Sequence, residues 1–164
     1  MADELRNEIR TLARTAFASL PAADYSGYAL YSDADAMTVC CAANTRAHLA
    51  RMQADDPEDA EYYRWSPAEW ALEGIASDLF EHLCVRLRNR TLAGVDQRDE
   101  VYEACVAALA DLVVEGSFGD GAAAVVVFAV SDADEAEREV GWLNRLNPPG
   151  IAAVHARWRT AAER

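Results

Sequence analysis

The sequence predicts an α+β fold, a small and mostly antiparallel sheet packed by about six helices. Three observations carry that reading. Several runs repeat apolar residues at helical spacing. Two short runs rich in aromatic and branched residues flank a polar turn within 25–42. Residues 122–130 (AAAVVVFAV) are apolar on both alternate faces. The patterns follow no regular strand–helix–strand alternation.

The elements follow in order. Residues 3–20 read as a helix, with Leu5, Ile9, Leu12, Ala16 and Leu20 at helical spacing and Pro21 as its stop. Tyr25–Tyr31 and Met37–Ala42, joined by Ser32–Ala36, form an antiparallel hairpin (25–42). Asn44 or Thr45 caps a short helix to about Met52, and 54–61 (ADDPEDAE) is an acidic surface loop. Ser66-Pro67-Ala68-Glu69 is a helix start, because Ser66 can accept from an early N–H, Pro67 suits the first turn and Glu69 can reach back. That helix would continue, with a break at Gly74, through Phe80, Leu83 and Leu87 to about Arg90. From Arg98 to Glu115, the residues Val101, Cys105, Leu109, Leu112 and Val113 make one apolar stripe ended by Gly116. Residues 122–130 are the expected central strand, since a strand apolar on both faces is usually covered on both. Ser131–Asp134 begins another helix, broken by Leu146-Asn147-Pro148-Pro149-Gly150, and Ile151, Val154, His155 and Trp158 share a face of the last one. The tetrapeptide Ser-Asp-Ala-Asp occurs at 32–35 and 131–134, but it leads once to a strand and once to a helix, so it is no repeat.

Length and composition bound the rest. A chain of 164 residues fits one domain, 1–164, and 52% apolar content can fill its core. The 28 acidic and 15 basic residues leave a net charge of −13. All the basic residues are arginine, so chemistry that needs a lysine is excluded. The charge disfavours nucleic acid and anionic membranes and attracts a basic protein. The four cysteines lack a CxxC spacing, the N-terminus is charged throughout, and no apolar run reaches membrane-spanning length. The cytoplasm is the expected compartment.

No catalytic, cofactor or metal residue is assigned. His48, His82 and His155 lie on separate expected helices, without zinc-site spacing. Gly116–Gly121 follows a helix and precedes a strand, the reverse of a dinucleotide loop, and lacks the P-loop lysine. Asp33-x-Asp35 and Asp132-x-Asp134 lack the later glycine and glutamate of a calcium loop. The most unusual segment is 62–70, where Tyr62, Tyr63, Arg64, Trp65, Glu69 and Trp70 make a candidate binding surface. Such aromatics serve either as core anchors or as an interface.

The runs YALYSDADAMTVCCAANT (28–45), YYRWSPAEW (62–70), VYEACVAAL (101–109) and RLNPP (145–149) resemble the bacterial family catalogued as domain of unknown function 4303. The resemblance spans about Ala16 to Pro149, and its tryptophan–proline–tryptophan segment is the most specific part. It implies a small cytoplasmic α+β protein with no assigned reaction or cofactor. Some similar acidic families act as immunity proteins against secreted toxins.

Charge, the aromatic segment and the lack of a catalytic set favour a non-enzymatic protein-binding module, with an immunity-type inhibitor of a basic toxin as its sharpest form. Acidic loops at 54–61 and 131–139 would steer the partner, and an anchor from 62–70 would hold it. Two alternatives stay open. One is a small-molecule binder or unrecognised enzyme between the hairpin and the helix after Ser66, using Tyr63, Arg64, Glu69 and Cys41. The other is a self-associating structural protein, with Trp142 or Trp158 at a homodimer seam.

Overall fold

A computed structural model describes residues 2–119, 124–133 and 135–162. Helix α1 (Ala2–Ala18) precedes strands β1 (Tyr25–Asp33) and β2 (Val39–Thr45). Helices α2 (Arg46–Asp55) and α3 (Ala60–Trp65), a 3₁₀ turn (Pro67–Glu69) and strand β3 (Leu72–Ile75) follow. Helices α4 (Ser77–Leu92) and α5 (Arg98–Val114), strand β4 (Val125–Ser131) and helices α6 (Ala136–Leu146) and α7 (Pro149–Ala162) complete the α+β architecture.

The sheet has the order β3-β2-β1-β4. The hairpin pairs Leu30 with Cys41, and β2 pairs antiparallel with β3. The pairing of β1 with β4 is parallel, Leu30 lying opposite Phe128. The hairpin turn is closed by Asp33, whose carboxylate accepts from the Asp35 and Met37 amides at 3.0 and 3.1 Å and from the Thr38 hydroxyl at 2.5 Å. The Tyr102 hydroxyl of α5 donates to the Asp33 carbonyl at 2.9 Å, tying the turn to the helix layer.

Side-chain alternation divides the core in two. Leu30, Val39, Cys41, Phe128 and Val130 join residues of α1, α4 and α5 on one face. Ala29, Ala42, Val125 and Val127 join Trp65, Trp70 and Leu143 on the other, with Tyr31, Val154 and Trp158 half-buried beside them. Cys40 and Cys41 accordingly split between the faces, half-buried and buried.

Four expectations need correction. The strand within 122–130 is not central: among the described residues β4 is an edge strand, next to β1 alone. It is apolar on both sides because helices cover both of its faces, which requires no strand on either edge. Its first residues, Ala122 and Ala123, lie outside the described residues, as do Asp120 and Gly121 of the glycine-rich connector.

The expected helix from Ser66 to Arg90 is interrupted. Only one 3₁₀ turn forms after Ser66, whose side chain makes no capping bond, and Leu72–Ile75 is a strand. Trp65 and Trp70 are both buried against the same sheet face. Five residues apart on a continuous helix they would point about 140° from each other. Left-handed backbone at Gly74 (φ +63°) and Ala76 (φ +49°) then turns the chain into α4.

The acidic loop is shorter than 54–61, since α2 runs to Asp55 and α3 begins at Ala60. The helix expected from 131–134 starts at Ala136; Asp134 is outside the described residues. Among the described residues no helix is long and apolar enough to cross a membrane.

Candidate functional site

A cleft of about 460 Å³ opens on the second face of the sheet. Its floor is Tyr31 of β1 and the run Val127–Ser131 of β4; Tyr62, Trp65 and Pro67 form one wall. Glu139 and Leu143 of α6, with His155, Trp158 and Arg159 of α7, form the other, and Glu73 of β3 stands at the margin. Local sequence explains each placement. Trp65 is carried inward at the end of α3, its indole N–H donating to Glu61 at 2.9 Å. His155 and Trp158 are three residues apart on α7 and so share a face. Tyr31 leaves β1 on the side opposite Leu30.

His155 is buried between two indoles, its ring centre 5.0 Å from Trp65 and 5.5 Å from Trp158. Its Nδ1 has no hydrogen-bond partner. Burial first, and the Arg159 cation second, lower its pKa to about 4, so the imidazole is neutral at pH 7. Arg159 pairs with Glu139 and lies 5.5 Å over the Trp158 ring, while its Nε is buried without a partner. Burial, then the neighbouring Cys40 and Glu73, push the Tyr31 phenol above its ordinary range, so it stays a neutral donor toward that carboxylate. The charged lining is two carboxylates, Glu73 and Glu139, against one guanidinium, Arg159.

The candidate segment 62–70 is divided. Tyr62 is exposed at the rim, its hydroxyl donating to Glu69 at 3.2 Å, and Trp65 is buried in the wall. Arg64 lies 5.1 Å over the Trp65 ring. Tyr63 turns away and donates to Asp56 at 3.2 Å. The Glu69 backbone carbonyl is bound by His48 Nε2 at 2.9 Å. Trp70 packs beneath the sheet face against Gly27. Cys41 faces the opposite core and does not join Tyr63, Arg64 and Glu69 in a site. Trp142 is buried with Phe128, their rings 4.9 Å apart, which removes it from any seam between copies; Trp158 is half-buried in the cleft wall.

Sequence reading missed Tyr31, Glu73, His155 and Arg159, and reached Glu139 only as the end of the acidic segment 131–139. Only the α7 stripe containing His155 and Trp158 carried a signal. Sheet pairing brings Tyr31 to Glu73, and helix packing brings Arg159 to Glu139, 20 residues away in sequence. Among the described residues no group of three or more histidine, cysteine, aspartate or glutamate side chains could hold a metal ion. What the cleft offers is aromatic faces beside carboxylates, a setting that suits an organic cation.

The family model described as Domain of unknown function (DUF4303) matches residues 5–148. No curated protein and no solved structure matches the chain.

Proposed function

We propose, from the premise that the chain belongs to the DUF4303 family, that it is a non-catalytic binding protein whose cleft receives a cationic group of a basic protein partner. The observation that supports this most is the lining itself. Aromatic rings of Tyr31, Tyr62, Trp65 and Trp158 surround a space whose fixed charge is net negative, on a chain of net charge −13. A guanidinium or ammonium in that space would meet ring faces and the Glu73 carboxylate together. The long-range field of the acidic surface would raise the rate of encounter.

The finer form of the proposal is an immunity-type inhibitor: the partner is a basic toxin, and occupation of the cleft by one of its cationic side chains blocks the toxin's own working surface. In this reading the acidic residues near the cleft (Glu61, Glu69 and Glu139) would steer such a partner, and Tyr62 at the rim would anchor it.

A second reading has its own support. A space of about 460 Å³ with an unpartnered His155 Nδ1 in its wall is in the range of small-molecule pockets, so a free organic cation would fit as well. One capture experiment separates the two. The tagged chain and its double variant Glu73→Gln, Trp158→Ala are used as bait in extracts of the native host at low and high salt. A stoichiometric basic protein, held by the parent, released by salt and lost with the variant, is the expected result. Recovery of the bait alone would overturn the protein-partner reading, and native mass spectrometry of that bait would then reveal a bound small cation.

A further inference from the structure

The cleft already holds a cation, and it is the chain's own. Arg159, in the last turn of α7, pairs with Glu139 of α6 and lies 5.5 Å over the Trp158 ring. All three residues line the cleft. A carboxylate beside an aromatic face is what a guest cation needs, so Arg159 stands where such a guest would. The corner is reachable without unpacking the core, since the Arg159 and Glu139 side chains keep 28% and 19% of their surface open to water. The resident is also incompletely held. Arg6, Arg14 and Arg145 each grip a carboxylate through two nitrogens. Arg159 donates to Glu139 through one, and its Nε N–H is buried with no acceptor, which costs free energy for as long as it stays.

We infer that the corner between Glu139 and Trp158 is a guanidinium subsite, closed in the free chain by Arg159 and opened when an arginine side chain of the partner displaces it. The inference rests on the binding reading above and deepens it, by naming guanidinium as the cation and an internal competitor as the regulation. Guanidinium is selected over ammonium because a planar fork stacks on an indole and meets a carboxylate at two points, whereas an ammonium is a point charge. A guest not tethered to α7 can turn its two-nitrogen edge to Glu139, as Arg145 does to Glu103. Exchange of one guanidinium for another leaves the charge balance of the corner unchanged, and the displaced Arg159 side chain swings into water. The guest's apparent affinity is lowered by the fraction of time that Arg159 keeps the subsite shut. Truncation of Arg159 therefore strengthens binding, although it removes a residue of the cleft wall.

The test is calorimetric titration of the full chain with Nα-acetylarginine amide and Nα-acetyllysine amide, each a single cation. Four proteins are compared: the parent, Arg159→Ala, Arg159→Ala with Glu139→Gln, and Arg157→Ala. Arg157 is exposed and outside the cleft lining, so its loss changes the net charge equally without opening the subsite. Arg159→Gln, which keeps part of the stem beside Trp158, replaces the alanine variant if that one fails to fold. The expected result is that the arginine probe binds Arg159→Ala about tenfold more tightly than the parent, or binds the variant alone. The gain should be smaller for the lysine probe, absent in Arg157→Ala and lost with Glu139→Gln. No gain on truncation, an equal gain in Arg157→Ala, a gain that survives Glu139→Gln, or an equal gain for lysine would each overturn the inference. If the parent still binds the arginine probe in those cases, the cation-binding cleft stands without the internal competitor. If no protein binds either probe, both readings fail.

Discussion

Asn147 and Val126 form a closed pair, with side-chain amide against backbone amide at 2.8 and 2.7 Å, on the outer edge of β4. The same Asn147 ends α6: its backbone N–H and its Nδ2 both reach the Leu143 carbonyl, at 3.0 and 3.2 Å. One buried side chain thus caps a helix and terminates a sheet edge. Asn147→Leu leaves the Val126 N–H and C=O buried without partners, and the expected cost is about 3 kcal/mol. Asn147→Asp is expected to be at least as damaging, since it keeps the acceptor, removes the donor and buries a charge. Urea unfolding of the three proteins checks this; a loss below ~1 kcal/mol for the leucine variant would mean that water satisfies the strand there.

Gly27 makes room for Trp70. A Cβ at Gly27 would lie 2.8 Å from Trp70 Cη2, 3.0 Å from its Cζ2 and 3.2 Å from Val125 Cγ2. The indole and a strand side chain both resist displacement, so Gly27→Ala is expected to destabilise by about 1–3 kcal/mol. The smaller ring in Trp70→Phe relieves the clash. Adding Gly27→Ala to Trp70→Phe should therefore cost about 1 kcal/mol less than adding it to the parent chain. A double-mutant cycle reads this coupling, and simple additivity would show that the two side chains do not compete for the space.

The elements legible in the sequence are those whose residues bury themselves locally. The helical spacing of Leu5, Ile9 and Leu12 marks α1, and that of Val101, Cys105, Leu109 and Leu112 marks α5; both helices form there. Thr45 caps α2 by accepting from the His48 amide at 3.2 Å, as its position suggests. What failed depends on partners distant in sequence. Leu72–Ile75 reads as helix because Pro67 and Glu69 carry a helix-start signature, yet it pairs with β2 once the tryptophans on either side of that signature are pulled onto one face. Residues 125–130 are apolar on both faces whether neighbours lie on one edge or two, so strand position could not be read from composition. The cleft was legible only where Trp65, His155 and Trp158 announced buried aromatics. Its charged lining exists only after three separate elements, β3, α6 and α7, have packed.

The thiols divide by burial, and their reactivity should follow. All four cysteines are free. Burial drives the Cys41 and Cys105 thiols well above their ordinary pKa, and neither is exposed. Since the thiolate is the reactive form, iodoacetamide is expected to label these two only as fast as the protein unfolds. Cys40 is half-buried, with its pKa raised chiefly by burial, and should react faster than those two but more slowly than a free cysteine. Time-resolved mass spectrometry of the alkylated peptides checks the order. Rapid labelling of Cys105 in the native protein would contradict its place between α5 and the sheet.

His155 makes stability depend on acid. Its folded pKa is near 4 against an ordinary value of 6.5, because burial and Arg159 oppose the imidazolium. The unfolded chain therefore takes up this proton at higher pH than the folded one. The contribution is fully present above pH 6.5, declines as the pH falls, and is lost through pH 4. A shift of that size amounts to at most about 3 kcal/mol. His155→Phe keeps a ring between Trp65 and Trp158 and removes both the proton and the unpartnered Nδ1. The variant is expected to be as stable as the parent at pH 7 or slightly more so, and to lose the parent's extra decline between pH 6.5 and 4. Guanidinium unfolding of both proteins across that range tests it. Parallel pH profiles would show that the acid response belongs to the paired carboxylates and not to this imidazole.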